Sequence, residues 1–296
     1  MESYILREYI CLTTAGACFL LSVVYVASLY IWKSPHSRDH PSTIKKRFLS
    51  VFIMMFISPL FLYYFSQEHV LQKASLWQLL GLRMHGLLPA TVIPVFLTMV
   101  LFLGPLSMQG FSGLWKLYAG MSARSEELEP MYWMSNLTNL IWLRNHVVAP
   151  LSEEFTFRAC MLPLLLQCYR PMTAVFVCPL FFGVAHFHHM VERMRSGLDL
   201  KRALMISCFQ FSYTTLFGAY SAFLFAKTGH FVAPFAVHAF CNHMGFPDFA
   251  EILTYKDPQR MLLMSLFVLG LVGWCVLLTP LTNPTWYSNH LFWRNH

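Results

Sequence analysis

The sequence predicts an all-α, polytopic integral membrane protein of about seven to eight transmembrane helices. Three observations carry this prediction. Of the 296 residues, 56% are hydrophobic and only 12% are charged, where a soluble domain usually carries about 25% charged residues. Long apolar runs recur along the chain, and the mean hydropathy is +0.50. Ionisable side chains interrupt those runs in a few places, at a cost of about 2.5–3.5 kcal/mol each at a bilayer centre, so such a cluster points to function. The bland alternative is a soluble all-helical protein with a very large core.

Taken in order, Tyr9 to Trp32 reads as the first span. Lys33, Arg38, Lys45, Lys46 and Arg47 follow it, which predicts an uncleaved anchor with the 33–47 connection in the cytosol. Phe48 to Phe65 is the second span and Ser66 to Gly86 a short polar connection on the far side. Leu87 to Leu106 is the third, with Pro89, Pro94 and Pro105 inside it or at its ends as sources of kinks. Met108 to Ser135 is the longest connection.

Asn139 to Gln167 forms a long helical run, with Pro150 and Pro163 as candidate breaks. Met172 to His186 is another apolar run. The 190–203 stretch is polar and basic, which places it in the cytosol. Leu204 to Ala226, the shorter Phe231 to Gly245 and Met261 to Pro280 complete the helices. The whole of 1–296 reads as a single membrane domain. Residues 1–135 hold the N-terminal helices and a cytosolic connection, 136–245 the motif core, and 246–296 a C-terminal helix and tail.

The net charge of +7 fits positive-inside loops and contact with anionic membrane lipids. Nucleic acid is a poor partner, because the basic residues are split among loops. The eight cysteines form no C-x-x-C pair, which suggests neither a disulfide framework nor a zinc knuckle. Asn136-Leu137-Thr138 is a formal glycosylation sequon on the side where it would not be used.

Three patterns of polar residues lie inside the apolar runs. In Glu153-Glu154-x-x-x-Arg158, Glu154 and Arg158 are four apart and face each other on a helix. That pairing leaves Glu153, about 100° away, as a free base. The competing reading is a helix start, with Ser152 as N-cap and the acids in the first turn. Phe182-x-x-x-His186 places a histidine one turn after a phenylalanine, and a single such histidine is more often an interfacial residue. His188 and His189 read as interface residues. His238-x-x-x-Asn242 puts two hydrogen-bonding side chains on one helical face, which alone would serve as interhelical glue. Together the three patterns supply carboxylates, a histidine that shares or orients a proton, and a pair able to donate to a developing oxyanion. Those parts suit hydrolysis by an activated water.

In that order, the three motifs resemble those of the CAAX prenyl endopeptidase family of the Ras-converting type, over about Pro150 to Gly245. Phe157 to Pro163 and Ala185 to His189 resemble its eukaryotic branch. The resemblance implies a catalytic cavity and removal of the C-terminal aaX tripeptide from farnesylated or geranylgeranylated CAAX proteins, such as Ras-type small GTPases. It implies that Glu153 and His186 activate water, that His238 and Asn242 form the oxyanion pocket, and that Glu154 and Arg158 position and neutralise. It implies no cofactor, and an endoplasmic reticulum membrane location with the site open to the cytosol.

A zinc-dependent protease is the nearest rival, since Glu153, Glu154, His186 and His238 are ligand types, but no H-E-x-x-H spacing exists. Cys160 and Cys241 read as small apolar residues rather than nucleophiles. Gly110-Phe111-Ser112-Gly113 resembles the G-x-S-G of rhomboid-type proteases, but a glycine-rich turn explains it as well. A non-catalytic scaffold or transporter is the alternative of another class.

Overall fold

The computed structural model describes residues 2–118 and 130–293, and among them the regular structure is helical. Helix α1 (Glu2–Ser28) leads into a basic connection, and α2 (Pro41–Phe65) follows. Helix α2 begins seven residues before the apolar run at Phe48. Pro41 sits in its first turn, where no amide is needed, and the His40 ring accepts from the Ser42 amide at 3.2 Å. The predicted polar connection after it contains two short helices, α3 (Glu68–Lys73) and α4 (Leu76–Leu79). A Ser75–Gln78 capping box starts α4.

The third predicted span is broken. Helix α5 (Leu87–Leu101) and α6 (Leu103–Tyr118) meet at 72°. Pro105 has no amide to give Leu101, and its ring would strike that carbonyl, so a straight helix cannot pass. Placed in the first turn of α6 instead, Pro105 loses nothing. The predicted connection from Met108 is therefore partly helical. Its 119–129 portion lies outside the described residues.

After α7 (Pro130–Thr138), Asn139 caps a helical run over 140–166 by accepting from the Ile141 and Trp142 amides. The run alternates between α8 (Leu140–Leu143), a π-helical turn (Arg144–Val148), α9 (Ala149–Glu154), a second π-helical stretch (Phe155–Met161) and α10 (Leu162–Leu166). The candidate breaks at Pro150 and Pro163 are thus widened turns. A π turn just ahead of each proline relieves the clash of its ring with the preceding turn. Cys178 and Cys18 donate their thiols to the Phe157 and Met161 carbonyls of the second π stretch.

Helices α11 (Pro171–Ala185), α12 (His188–Arg195), α13 (Leu200–Thr228), α14 (Val232–Met244), α15 (Phe249–Ile252) and α16 (Gln259–Leu281) follow, with a final 3-10 turn (Pro284–Tyr287). Among the described residues, Glu8–Ser28, Pro41–Phe65, Pro171–Arg195 and Gln259–Leu281 are long and apolar enough to cross a membrane, and the bent α5–α6 pair is a fifth candidate. The 140–166 run, α13 and the short α14 stand apart from that apolar set, and the first and last of them carry the glutamate–arginine and His238–Asn242 motifs. Helix α11 packs along α13, α14 and α16 pack on α5, and the second π stretch packs on α2. Their shared core includes Leu21, Met54, Phe157, Phe182 and Phe225. The outer faces expose residues such as Val268, Leu269, Val272 and Val276 of α16. In water such a surface would be a liability, whereas in hydrocarbon it is the solvent-matched face.

The turn between α13 and α14 is held firmly. The Arg83 guanidinium donates to the carbonyls of Thr228 and Gly229, and to those of Tyr287 and Ser288. Gly229 adopts φ +65°, and a Cβ there would lie 2.8 Å from Arg83 Nη2, so the turn needs glycine. This clasp sets where α14 enters the bundle, and hence where His238 sits.

Candidate active site

The three motifs meet where the 140–166 run, α11, α13 and α14 converge. Glu154 and Arg158 are both fully buried, and Arg158 Nη1 donates to Glu154 Oε1 at 3.2 Å. His238 Nδ1 approaches the same oxygen at 2.7 Å. A carboxylate oxygen only accepts, so Nδ1 carries the proton. Ser221 of α13 donates to Glu154 Oε2 at 2.5 Å. Glu154 therefore receives hydrogen bonds from three helical segments, which is what a buried carboxylate needs to remain charged.

Glu153 faces another way. Its side chain is 20% exposed while that of Glu154 is 0% exposed. Its Oε2 lies 3.9 Å from His238 Nε2. His238 thus stands between the two glutamates, bound to one and turned toward the other. The Phe217 ring packs against His238 at 4.8 Å between centroids.

Phe182 explains the second motif. Its ring carries the Arg158 guanidinium at 4.2 Å and touches the His186 ring edge-on at 4.6 Å. His186 caps the end of α11 and donates from Nδ1 to the Phe182 carbonyl at 2.7 Å. In the neutral ring that leaves Nε2 as an acceptor. Among the described residues, His238 is the histidine with a nitrogen within 4.0 Å of Glu153. Asn242 lies one turn beyond His238 and is exposed; its Nδ2 donates to the Asn145 carbonyl at 2.8 Å. That carbonyl belongs to the first π turn, so this widened turn docks α14.

The helix-start reading of the glutamates does not hold. Ser152 lies inside the helical run, and its hydroxyl bonds the Ala149 carbonyl and, at 2.9 Å, the Tyr25 hydroxyl of α1. Gly110-Phe111-Ser112-Gly113 lies inside α6 and not in a turn, since single glycines only weaken a helix by about 1 kcal/mol each. Among the described residues, no group of three or more His, Cys, Asp or Glu is arranged to hold a metal ion.

Several contacts escaped the sequence reading. Ser221 and Tyr25 lie in helices whose pattern gives no sign of a polar partner. Glu192 was hidden among basic neighbours, yet it accepts from Arg47 at 2.6 Å, Tyr30 at 2.8 Å and His189 at 3.1 Å. Arg144 likewise donates to Asp39 at 2.8 Å, and that contact holds the Asp39 carboxyl below its usual range. Part of the basic charge therefore joins the 33–47 connection to the helices of the site.

Comparison with known proteins bears on this geometry. Residues 135–244 match the family described as Type II CAAX prenyl endopeptidase Rce1-like. The chain is 45% identical to CAAX prenyl protease 2 of Homo sapiens over 281 residues, covering 94% of this chain and 84% of that protein. It belongs to the type II CAAX prenyl endopeptidase family. The Rattus norvegicus and Arabidopsis thaliana proteins of the same name are 40% and 32% identical, covering 94% and 93% of this chain and 83% and 91% of their own lengths. No solved structure matches the chain. The stretch matched to the CAAX endopeptidase family contains all three motifs together with Ser221, whereas Tyr25 and Arg47 lie outside it.

Proposed function

We propose that this protein is an intramembrane endopeptidase that removes the C-terminal tripeptide from farnesylated or geranylgeranylated CAAX proteins, Ras-type small GTPases among them. The observation that carries the reading is His238, set between Glu154 Oε1 at 2.7 Å and Glu153 Oε2 at 3.9 Å. A water about 2.8 Å from both Glu153 Oε2 and His238 Nε2 would subtend roughly a right angle between them, a workable hydrogen-bond geometry.

In this reading Glu153 is the base. It takes a proton as the water oxygen bonds to the carbonyl carbon of the prenylated cysteine. His186, with Nε2 as acceptor, shares that water from the α11 side. Glu154, paired with Arg158, holds the His238 ring through Nδ1, and His238 forms one wall of the oxyanion pocket. Asn242 adds an amide donor at the same face of α14. The C–N bond then breaks, and Glu153 returns its proton to the leaving nitrogen, releasing the tripeptide.

The chain acts in the endoplasmic reticulum membrane, with the site reached from the cytosol. Supporting this, the basic 33–47 connection is tied by the Arg144–Asp39 pair to the run that carries the glutamates and by the Arg47–Glu192 pair to α12, which follows α11. Prenylated tails partition into the membrane and offer their peptide at its surface.

The test is tripeptide release from a farnesylated CAAX peptide by purified protein, with a chelator arm and a Glu153→Gln arm. Release that survives chelation and disappears in the variant supports the reading. Loss on chelation restored by zinc would replace it with a metal mechanism. Absence of release would return the chain to a non-catalytic role.

A further inference from the structure

Helix α13 contributes no motif residue, yet one stretch of it, from Phe217 to Ser221, borders the site at three points. Phe217 packs on the His238 ring. Gly218 leaves room for Arg158: a Cβ there would lie 2.9 Å from Arg158 Nη2 and 2.7 Å from the Pro179 Cβ. Ser221, fully buried, gives its proton to Glu154 Oε2 at 2.5 Å.

This use of a helical serine is unusual within α13. Ser207, Ser212, Thr214 and Thr228 each donate to the carbonyl four residues back, the usual local outlet for a helix hydroxyl. Ser221 instead bonds across to another helix. In doing so it occupies the one Glu154 oxygen that neither His238 nor Arg158 uses.

Arg158 gives that choice a consequence. It holds Glu154 through Nη1 alone, while Nη2 and Nε are buried with no hydrogen-bond partner. A two-point clasp between guanidinium and carboxylate is the stronger and more common geometry. With Oε2 free, Glu154 would turn to accept from Nη2 as well, and Oε1 would leave His238 Nδ1. His238 would then lose the partner that fixes its tautomer and aims Nε2 at Glu153.

We propose that Ser221 is a positioning residue of the hydrolytic site, holding Glu154 toward His238 and away from a two-point clasp by Arg158. The inference rests on the hydrolytic reading above. It adds a residue of α13 that acts on the chemistry only through Glu154 and His238.

The experiment compares full-length wild type, Ser221→Ala, Ser221→Thr and Ser212→Ala, purified in lipid vesicles, on a farnesylated CAAX peptide across pH. Ser221→Ala is expected to lower kcat about tenfold or more, the effect of losing one hydrogen bond to a charged group. KM should stay within about twofold, because Ser221 acts on a catalytic pair and not on bound substrate. The pH–rate profile should move with the change in His238, Ser221→Thr should recover most of kcat, and Ser212→Ala should match wild type. Wild-type kcat and pH profile in Ser221→Ala would overturn the proposal, as would an equal loss in Ser221→Thr. A second readout needs no turnover: nitrogen NMR of the His238 ring in wild type and Ser221→Ala. A changed Nδ1 signal supports the role, and an unchanged one overturns it even if wild type releases no tripeptide, an outcome that would separately remove the hydrolytic reading.

Discussion

His238 Nδ1 lies 2.7 Å from Glu154 Oε1, so the second glutamate of the pair holds the histidine and the first is left partly exposed, 3.9 Å from the other ring nitrogen. This separates two residues that are adjacent in sequence and identical in chemistry. Glu153→Gln is expected to lower turnover by about 10²–10⁴-fold, the range for losing a general base. Its melting temperature should stay close to wild type, because Glu153 anchors no buried cation. Glu154→Gln is expected to lose both activity and stability. A thermal melt beside the peptide assay checks the contrast, and equal destabilisation by both changes would contradict the division of roles.

Arg158 is the buried cation of the site, and removing its partner strands it. Either Arg158→Met or Glu154→Gln alone is expected to destabilise the fold by about 3–5 kcal/mol, the cost of leaving one member of a buried pair uncompensated. The double change should cost less than the two single changes added together. Denaturant unfolding of the three variants reads this directly, and simple additivity would show that the pair is not coupled.

Glu192 ties α12 to Arg47 of α2 and to Tyr30 just past α1, and it also accepts from His189 within α12. Glu192→Gln should weaken that tie by about 1.5–3 kcal/mol, as for hydrogen bonds to a charged group. Hydrogen exchange should then speed up at the amides of α12 and the 33–47 connection, with α16 unaffected. Unchanged exchange in α12 would mean that packing alone holds it.

Asp39 supplies a dependence on pH outside the membrane spans. The Arg144 hydrogen bond is the leading cause lowering its carboxyl pKa. A depressed carboxyl stabilises the folded state above its unfolded pKa, about 3.9, and that contribution is lost as pH falls through the lower folded value. Proteolysis of the 33–40 connection should therefore accelerate below about pH 4. Asp39→Asn should already show the faster rate at pH 6 and lose this pH response.

Much of the fold was legible because the bilayer asks for long apolar helices, and such helices show in composition. The runs beginning at Met172 and Met261 matched α11 and α16 to within about two residues. The break between α5 and α6 was less legible. Three prolines occur in that run, and only the one at Pro105 coincides with the bend, since Pro94 is accommodated within α5. The π turns around the glutamates were likewise hidden, because residue identity reveals a proline but not which neighbouring helix satisfies the carbonyls it frees.

By itself, the sequence determined that the chain is a helical membrane protein and that Glu153, Glu154, Arg158, His186, His238 and Asn242 carry its motifs. Spacing along one helix also paired Glu154 with Arg158, since an i to i+4 relation is local. Only the tertiary structure decided which glutamate binds His238, that Ser221 completes the carboxylate's partners, and that Asn242 reaches the Asn145 carbonyl. Each of those contacts joins residues from different helices. Their geometry depends on how helices pack, bend and widen, which no periodicity within a single segment records.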